Sequence, residues 1–176
     1  MSASSPPGRG ILLAIVTGEI GERIQRWREM HDPEQARRYP PHATLCYWVP
    51  DVSDALDTLD AQVRHAFPAP IEVALGGPHI FENPGRTMYV EVRDHATLDA
   101  ARQRLTDGTH LELPGREGWE WHVTCLRRTD GVTAEVLAAA EDELQIDAPW
   151  LIVELGYFVL VGDEYERRRT WHLGRG

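Results

Sequence analysis

The chain has 176 residues, 42% of them hydrophobic and six of them Trp, enough to bury a core as one domain or as two intimately fused halves. Its formal net charge of −10, from 18 Lys+Arg against 28 Asp+Glu, argues against a broad polyanion-binding surface, because such binding draws on basic side chains neutralising phosphates. A nucleic-acid ligand is therefore expected to be small or held locally.

The first residues, "MSASSPPGRG", lack the charged-then-apolar layout of a secretory signal, and no run of about 18 apolar residues reads as a membrane span. Residues 1–9 read as a flexible lead-in and 10–176 as a single bilobal domain. The two cysteines fit a reducing compartment, and neither lies in a C-x-x-C pair that would suggest structural zinc. The expectation is a cytoplasmic monomer.

From the lead-in onward, "ILLAIVTG" is an apolar run of strand length. Ile20, Ile24, Trp27 and His31 then fall at helical spacing in "EIGERIQRWREMH". "HATLCYWV" reads as a strand. The helix that follows, "VSDALDTLDAQVRHAF", carries Val52, Leu56, Leu59, Val63 and Phe67 on one face, with Ser53 a candidate cap. "IEVALGG" closes the first half as a strand.

From "TMYVEV" the order starts again: a strand, a helix in "DHATLDAARQRL", the strand "WEWHVTCL", a helix in "VTAEVLAAAEDEL" and the strand "LIVELG". A shift of 80 positions sets His42-x-Thr44 on His122-x-Thr124 and Ile71, Val73, Leu75 and Gly76 on Leu151, Val153, Leu155 and Gly156. "GYFVLVGDEYERRRTWHLG" completes the chain as a hairpin turning near Gly162-Asp163. The expected fold is α/β (α+β), with two pseudo-symmetric β-α-β-α-β lobes sharing a central cleft.

The tetrapeptide "HATL" occurs twice, at His42 and at His95, and H-x-[ST] a third time at His122. Residues i and i+2 share a face on a strand but not on a helix. His42 and His122 sit in strand-like surroundings. His95 follows Asp94, a good N-cap, and leads into Leu98, Ala101 and Leu105 at helical spacing, so it reads as a helix residue. Strict alternation would turn Ala43, Leu45, Tyr47, Trp121, Val123 and Cys125 toward the helices and His42, Thr44, Cys46, Trp48, His122, Thr124 and Leu126 toward the cleft. By that parity Cys46 and Cys125 point to opposite faces, which argues against a disulfide between them.

"PPHATL" and "WHVTCLR", 80 residues apart within this duplication, resemble the paired motifs of the 2H phosphoesterases, which include the 2′–5′ RNA ligase-like proteins and the cyclic nucleotide phosphodiesterases. The resemblance implies antiparallel lobe sheets and metal-free, cofactor-free chemistry on 2′,3′-cyclic phosphates or 2′–5′ linkages. It further implies catalytic roles for His42 and His122 and phosphate contacts from Thr44 and Thr124. Arg127 matches the basic residue that often follows the second motif, and Cys125 replaces a leucine usual there.

The residue types support the same chemistry. Opening a cyclic phosphodiester needs a base for the attacking water and an acid for the departing ribose oxygen, and imidazoles suit both tasks. Hydroxyls and a guanidinium can stabilise the charge gathering on the non-bridging oxygens. The expected activity is hydrolysis of a 2′,3′-cyclic phosphate, in a nucleotide or at an RNA end, with His122 as base and His42 as acid. A 2′–5′ ligase or phosphodiesterase and a non-catalytic RNA-end or nucleotide-binding module are the alternatives. Arg127, Trp48 and Tyr89 are candidate substrate contacts, with Trp119 a further aromatic that could stack a base or pack in the core. His79 and His172 could join the pair as metal ligands, although no carboxylate spacing accompanies them. The basic run "YERRRTW" reads as the solvated face of an outer strand.

Overall fold

The computed structural model describes residues 9–107, 111–113, 119–130 and 132–174; the lead-in expectation, apart from Arg9, lies outside them. In chain order the elements are β1 (Arg9–Ile15), α1 (Gly18–His31), α2 (Pro33–Arg38), β2 (His42–Pro50), α3 (Leu56–Ala66), β3 (Ile71–Ile80), β4 (Met88–Arg93), α4 (Ala96–Thr106), β5 (His122–Leu126), α5 (Ala134–Glu143), β6 (Ala148–Ile152), β7 (Glu154–Val161) and β8 (Glu164–His172).

The strands join in the order β6-β3-β4-β5-β2-β1-β7-β8, and every pairing is antiparallel. Two four-stranded lobes meet where β2 pairs β5 at Ala43↔Val123, so the strands bearing the two H-x-T motifs are the inner edges of the lobes. The duplicated element order carries a spatial exchange. β3, which closes the first half of the sequence, lies in the second lobe between β4 and β6, while β7 and β8 fill the equivalent places beside β1. The short connection from β3 to β4 favours that hairpin, since consecutive strands tend to pair.

One face of β1 sends Leu12 and Ala14, followed by Val16 just past the strand, into the main core with Ile24, Trp27, Leu45 and Val123. Gly21 lets α1 lie against the Val16 carbonyl, a position that any Cβ would overlap. Burying a side chain such as Ile24 contributes roughly 1.5–3 kcal/mol. The opposite face of β1 carries Ile11, Leu13 and Ile15, which pack with Phe158 beside Tyr39, Tyr47 and Tyr165. This smaller cluster forms the floor beneath the first motif.

Several local features differ from the sequence reading. α2 is an added helix, too short to show a periodicity, and its signal is Asp32 at the N-cap followed by Pro33. Ser53 does not cap α3; it opens a 3-10 turn and donates from N and Oγ to Asp51 Oδ1. "LIVELG" divides at Val153 into the end of β6 and the start of β7. His95, rather than Asp94, occupies the N-cap of α4, with Asp94 in the left-handed region at φ 55°. The terminal hairpin turns at Gly162, φ 62°, as the Gly-Asp pair suggests.

Candidate active site

Each H-x-T strand holds its histidine by the same local device. His42 Nδ1 lies 2.7 Å from the Pro40 carbonyl, and His122 Nδ1 lies 2.9 Å from the Glu120 carbonyl, each two residues upstream. In a neutral ring such a bond puts the proton on Nδ1 and leaves Nε2 as the proton-exchanging atom. The antiparallel register at Ala43↔Val123 sets His42 beside Thr124 and Thr44 beside His122 across the lobe junction. All four residues reach the same side of the junction: His42, His122 and Thr124 are half-buried and Thr44 is 8% exposed.

Both strands then break their alternation at the same point. Leu13 pairs with Thr44 and Leu12 with Cys46, leaving Leu45 as an extra residue. Tyr89 pairs with Thr124 and Met88 with Leu126, leaving Cys125 extra. These are β-bulges immediately after each threonine, 80 residues apart. A bulge reverses which face the following residues present. Cys46 and Leu126 therefore enter the main core, correcting the cleft-facing places expected for them, while Tyr47 and Arg127 line the cavity that contains His122 and Thr124. Arg102 of α4 donates from Nε to the carbonyl of the extra Leu45, 2.9 Å away. Both cysteines are buried and neither is in a disulfide, and desolvation pushes each thiol up to about 12.

That cavity, about 430 Å³, has Tyr47, Phe81 and Trp119 among its lining residues. Trp119 meets Tyr47 at 5.6 Å between ring centroids and is backed by the Arg102 guanidinium 3.7 Å from its ring. Phe81 stacks on Tyr89 at 3.9 Å and sets its edge against His122 at 5.0 Å. Tyr89 also contacts His122 at 5.7 Å. Phe81 escapes the sequence reading because it follows the strand run "IEVALGG" with no motif around it. Trp48 lies on β2, but its side chain falls outside the described residues. A larger cavity, about 780 Å³, runs between α1 and Phe158 and contains none of the H-x-T residues.

The two imidazoles have different surroundings. His42 keeps only a partial opening to the cleft, and its pKa is pushed down to about 3, chiefly by desolvation. The Pro40 carbonyl opposes that shift, and the charges of Arg28, His122 and Arg127 add to it. Tyr39 meets the ring edge-on at 4.8 Å, and Ile15 is its partner on β1. His122 instead faces Glu91 on β4, with the acidic residues Glu82 and Glu120 lining its cavity.

The remaining candidates lie apart from this cluster. His95 Nδ1 pairs with Asp99 at 2.7 Å on α4. His79 on β3 lies 3.6 Å from Glu91, and His172 on β8 lies 3.9 Å from Glu154; β3 belongs to the second lobe and β8 is the outermost strand of the first, so the fold does not bring the two together as ligands. No group of three or more His, Cys, Asp or Glu among the described residues is arranged to hold a metal ion. Arg167, Arg168 and Arg169 pair with Glu154, Glu166 and Asp60 on the outer strand β8. No helix among the described residues is long and apolar enough to cross a membrane.

Comparison with known proteins agrees with this architecture. The family model described as the 2′-5′ RNA ligase superfamily matches residues 16–164. Escherichia coli LigT in complex with 3′-AMP superposes with a TM-score of 0.62 at 16% identity, covering 97% of this chain and 100% of that one. The same protein in complex with NADP+ gives 0.62 at 14% identity over 97% and 100%. The Thermus thermophilus protein TT0787 gives 0.60 at 17% identity, covering 94% and 97%. No curated protein matches by sequence.

Proposed function

Because the chain belongs to the 2′-5′ RNA ligase superfamily, whose members are 2H phosphoesterases, we propose that it hydrolyses a 2′,3′-cyclic phosphate, in a nucleotide or at an RNA end, to a phosphomonoester without a metal. The observation that carries this reading is the matched pair of Nδ1 tethers, His42 to Pro40 and His122 to Glu120. They supply two oriented imidazoles at one junction, as acid–base opening of a cyclic ester requires. Thr44, Thr124 and Arg127 are the donors for the non-bridging oxygens.

In this mechanism a phosphate anion settles between the motifs. His42, neutral at rest because of its desolvation, takes the proton from the attacking water, and the bound anion raises its proton affinity as it does so. His122, beside Glu91 and Glu120, gives a proton to the departing ribose oxygen. This assignment reverses the order expected from sequence alone, where pseudo-symmetry leaves little to choose between the two rings. Tyr47, Trp119, Phe81 and Tyr89 offer faces and edges to a base or ribose. The nucleotide complexes of the LigT relative support a ligand of nucleotide size.

The test is a panel of 2′,3′-cyclic mononucleotides, ADP-ribose cyclic phosphate and 2′–5′ dinucleotides, assayed with and without chelator. Turnover of cyclic phosphates that survives chelation is expected. Activity on the 2′–5′ dinucleotides alone would favour the ligase or phosphodiesterase reading. Binding without turnover of any member would favour the recognition module.

A further inference from the structure

The corner between α1 and α2 touches both halves of the site from outside the cleft. Arg28, 2% exposed, donates from Nη2 to the carbonyls of Gln35 at 2.8 Å and Tyr39 at 3.0 Å, and from Nη1 to Gln25 Oε1 at 3.1 Å. This pins the segment whose next carbonyl, that of Pro40, accepts the hydrogen bond from His42 Nδ1. Four residues beyond Arg28, Asp32 divides its carboxylate. Oδ1 accepts from the Gln35 amide at 3.4 Å and caps α2. Oδ2 reaches across the lobe junction to accept from the Arg127 backbone amide at 2.9 Å. The Asp32 amide in turn donates to the Arg28 carbonyl at 2.7 Å.

We infer that Asp32 is a positioning residue: with Arg28 it fixes Arg127, on the second lobe, relative to His42, on the first. Neither residue contacts the reacting atoms in this arrangement. Both act on main chain, Arg28 through the Tyr39 carbonyl and Asp32 through the Arg127 amide. The bulge after Thr124 aims Arg127 at the cavity, and the carboxylate of Asp32 stops the strand end from sliding away from that aim. The inference rests on the proposed phosphoesterase reading for its kinetic consequence, but its structural content does not depend on turnover.

Two measurements test it. In NMR hydrogen exchange, the Arg127 amide is expected to be protected in the wild type and in Asp32→Asn, whose single acceptor oxygen is expected to keep the shorter bond to Arg127 (2.9 Å) over the cap on Gln35 (3.4 Å), and to lose protection in Asp32→Ala. In a double-mutant cycle on a cyclic mononucleotide, Asp32→Ala is expected to lower kcat/KM about tenfold, as losing one well-placed hydrogen bond can. The same change made on Arg127→Ala should cost less than about twofold more. Asp32→Asn should restore most of the loss. An unprotected Arg127 amide in the wild type would overturn the inference even in an active enzyme. So would an equal Asp32→Ala penalty in both backgrounds, because a general loss of folding moves both alike. A protected amide in a protein that turns over no cyclic phosphate would instead overturn the functional reading alone.

Discussion

His42 and His122 each open a strand, each carry the same kind of tether and each precede a bulge, and they differ in what the neighbouring strand supplies. Beside His42, β1 contributes Ile15, and the ring rests near the buried cluster of Ile11, Leu13 and Phe158. Beside His122, β4 contributes Glu91, and the ring opens into a cavity with two further carboxylate residues. A low-dielectric neighbourhood disfavours imidazolium, whereas nearby carboxylates favour it. Symmetric backbone can therefore carry its two imidazoles in unlike surroundings, through the facing residue together with burial and the charges nearby, which is what a one-way acid–base reaction demands.

The most forceful way to break this comparison is to remove each ring in turn. On a ribose-leaving substrate, His42→Ala and His122→Ala should each lower kcat by roughly 10²–10⁴-fold. On a p-nitrophenyl phosphodiester, whose leaving group needs no acid, His122→Ala should cost far less than His42→Ala. Equal losses on that substrate would remove the functional content of the asymmetry.

A second experiment sharpens it through folding. The native protein keeps His42 neutral down to about pH 3, whereas the unfolded chain protonates it near its ordinary value of 6.5. The unfolded state thus binds more protons between these values. The His42 contribution to stability is full above pH 6.5 and is lost progressively as the pH falls toward 3. Urea midpoints measured across that range should fall less steeply for His42→Gln than for the wild type. Parallel slopes would refute the desolvated setting of His42.

The smallest effect concerns the aromatic edges. An aromatic pair contributes about 0.5–1.5 kcal/mol beyond its buried area, so Phe81→Leu should change kcat/KM only severalfold. If Phe81 tunes His122 through its edge contact, the basic limb of the pH–rate profile should move with this substitution. A rise in KM with an unmoved profile would make Phe81 a wall for the ligand and nothing more.

The separation of the two "HATL" copies is readable in the chain because strand and helix place i and i+2 differently, and His95 indeed enters α4. The alternating runs around His42 and His122 and the Gly162-Asp163 turn are readable for the same local reasons. The bulges are not. Leu45 and Cys125 carry no glycine or proline to announce an extra residue, and their placement is set by pairing with Leu12–Leu13 and Met88–Tyr89, strands distant in sequence. That extra residue is what strict alternation misses at Tyr47, Cys46 and Leu126, and it is why Arg127, an odd number of positions after His122, nevertheless lines the same cavity. Asp32 is invisible as a bridge for a similar reason, since its partner Arg127 lies 95 residues away.

The exchange of strands between lobes bears on how the chain is made. β1 is made before the other described strands, yet the neighbour on its outer edge, β7, begins only at Glu154. Until then the nascent first lobe presents an open edge bearing Ile11, Leu13 and Ile15, the kind of template that recruits stray strands from other chains. A cut between the sequence halves would leave the amino-terminal piece without β7 and β8 and the carboxy-terminal piece without β3. The repeat visible in the sequence is thus not a pair of autonomous folding units, and productive folding must await nearly the whole chain.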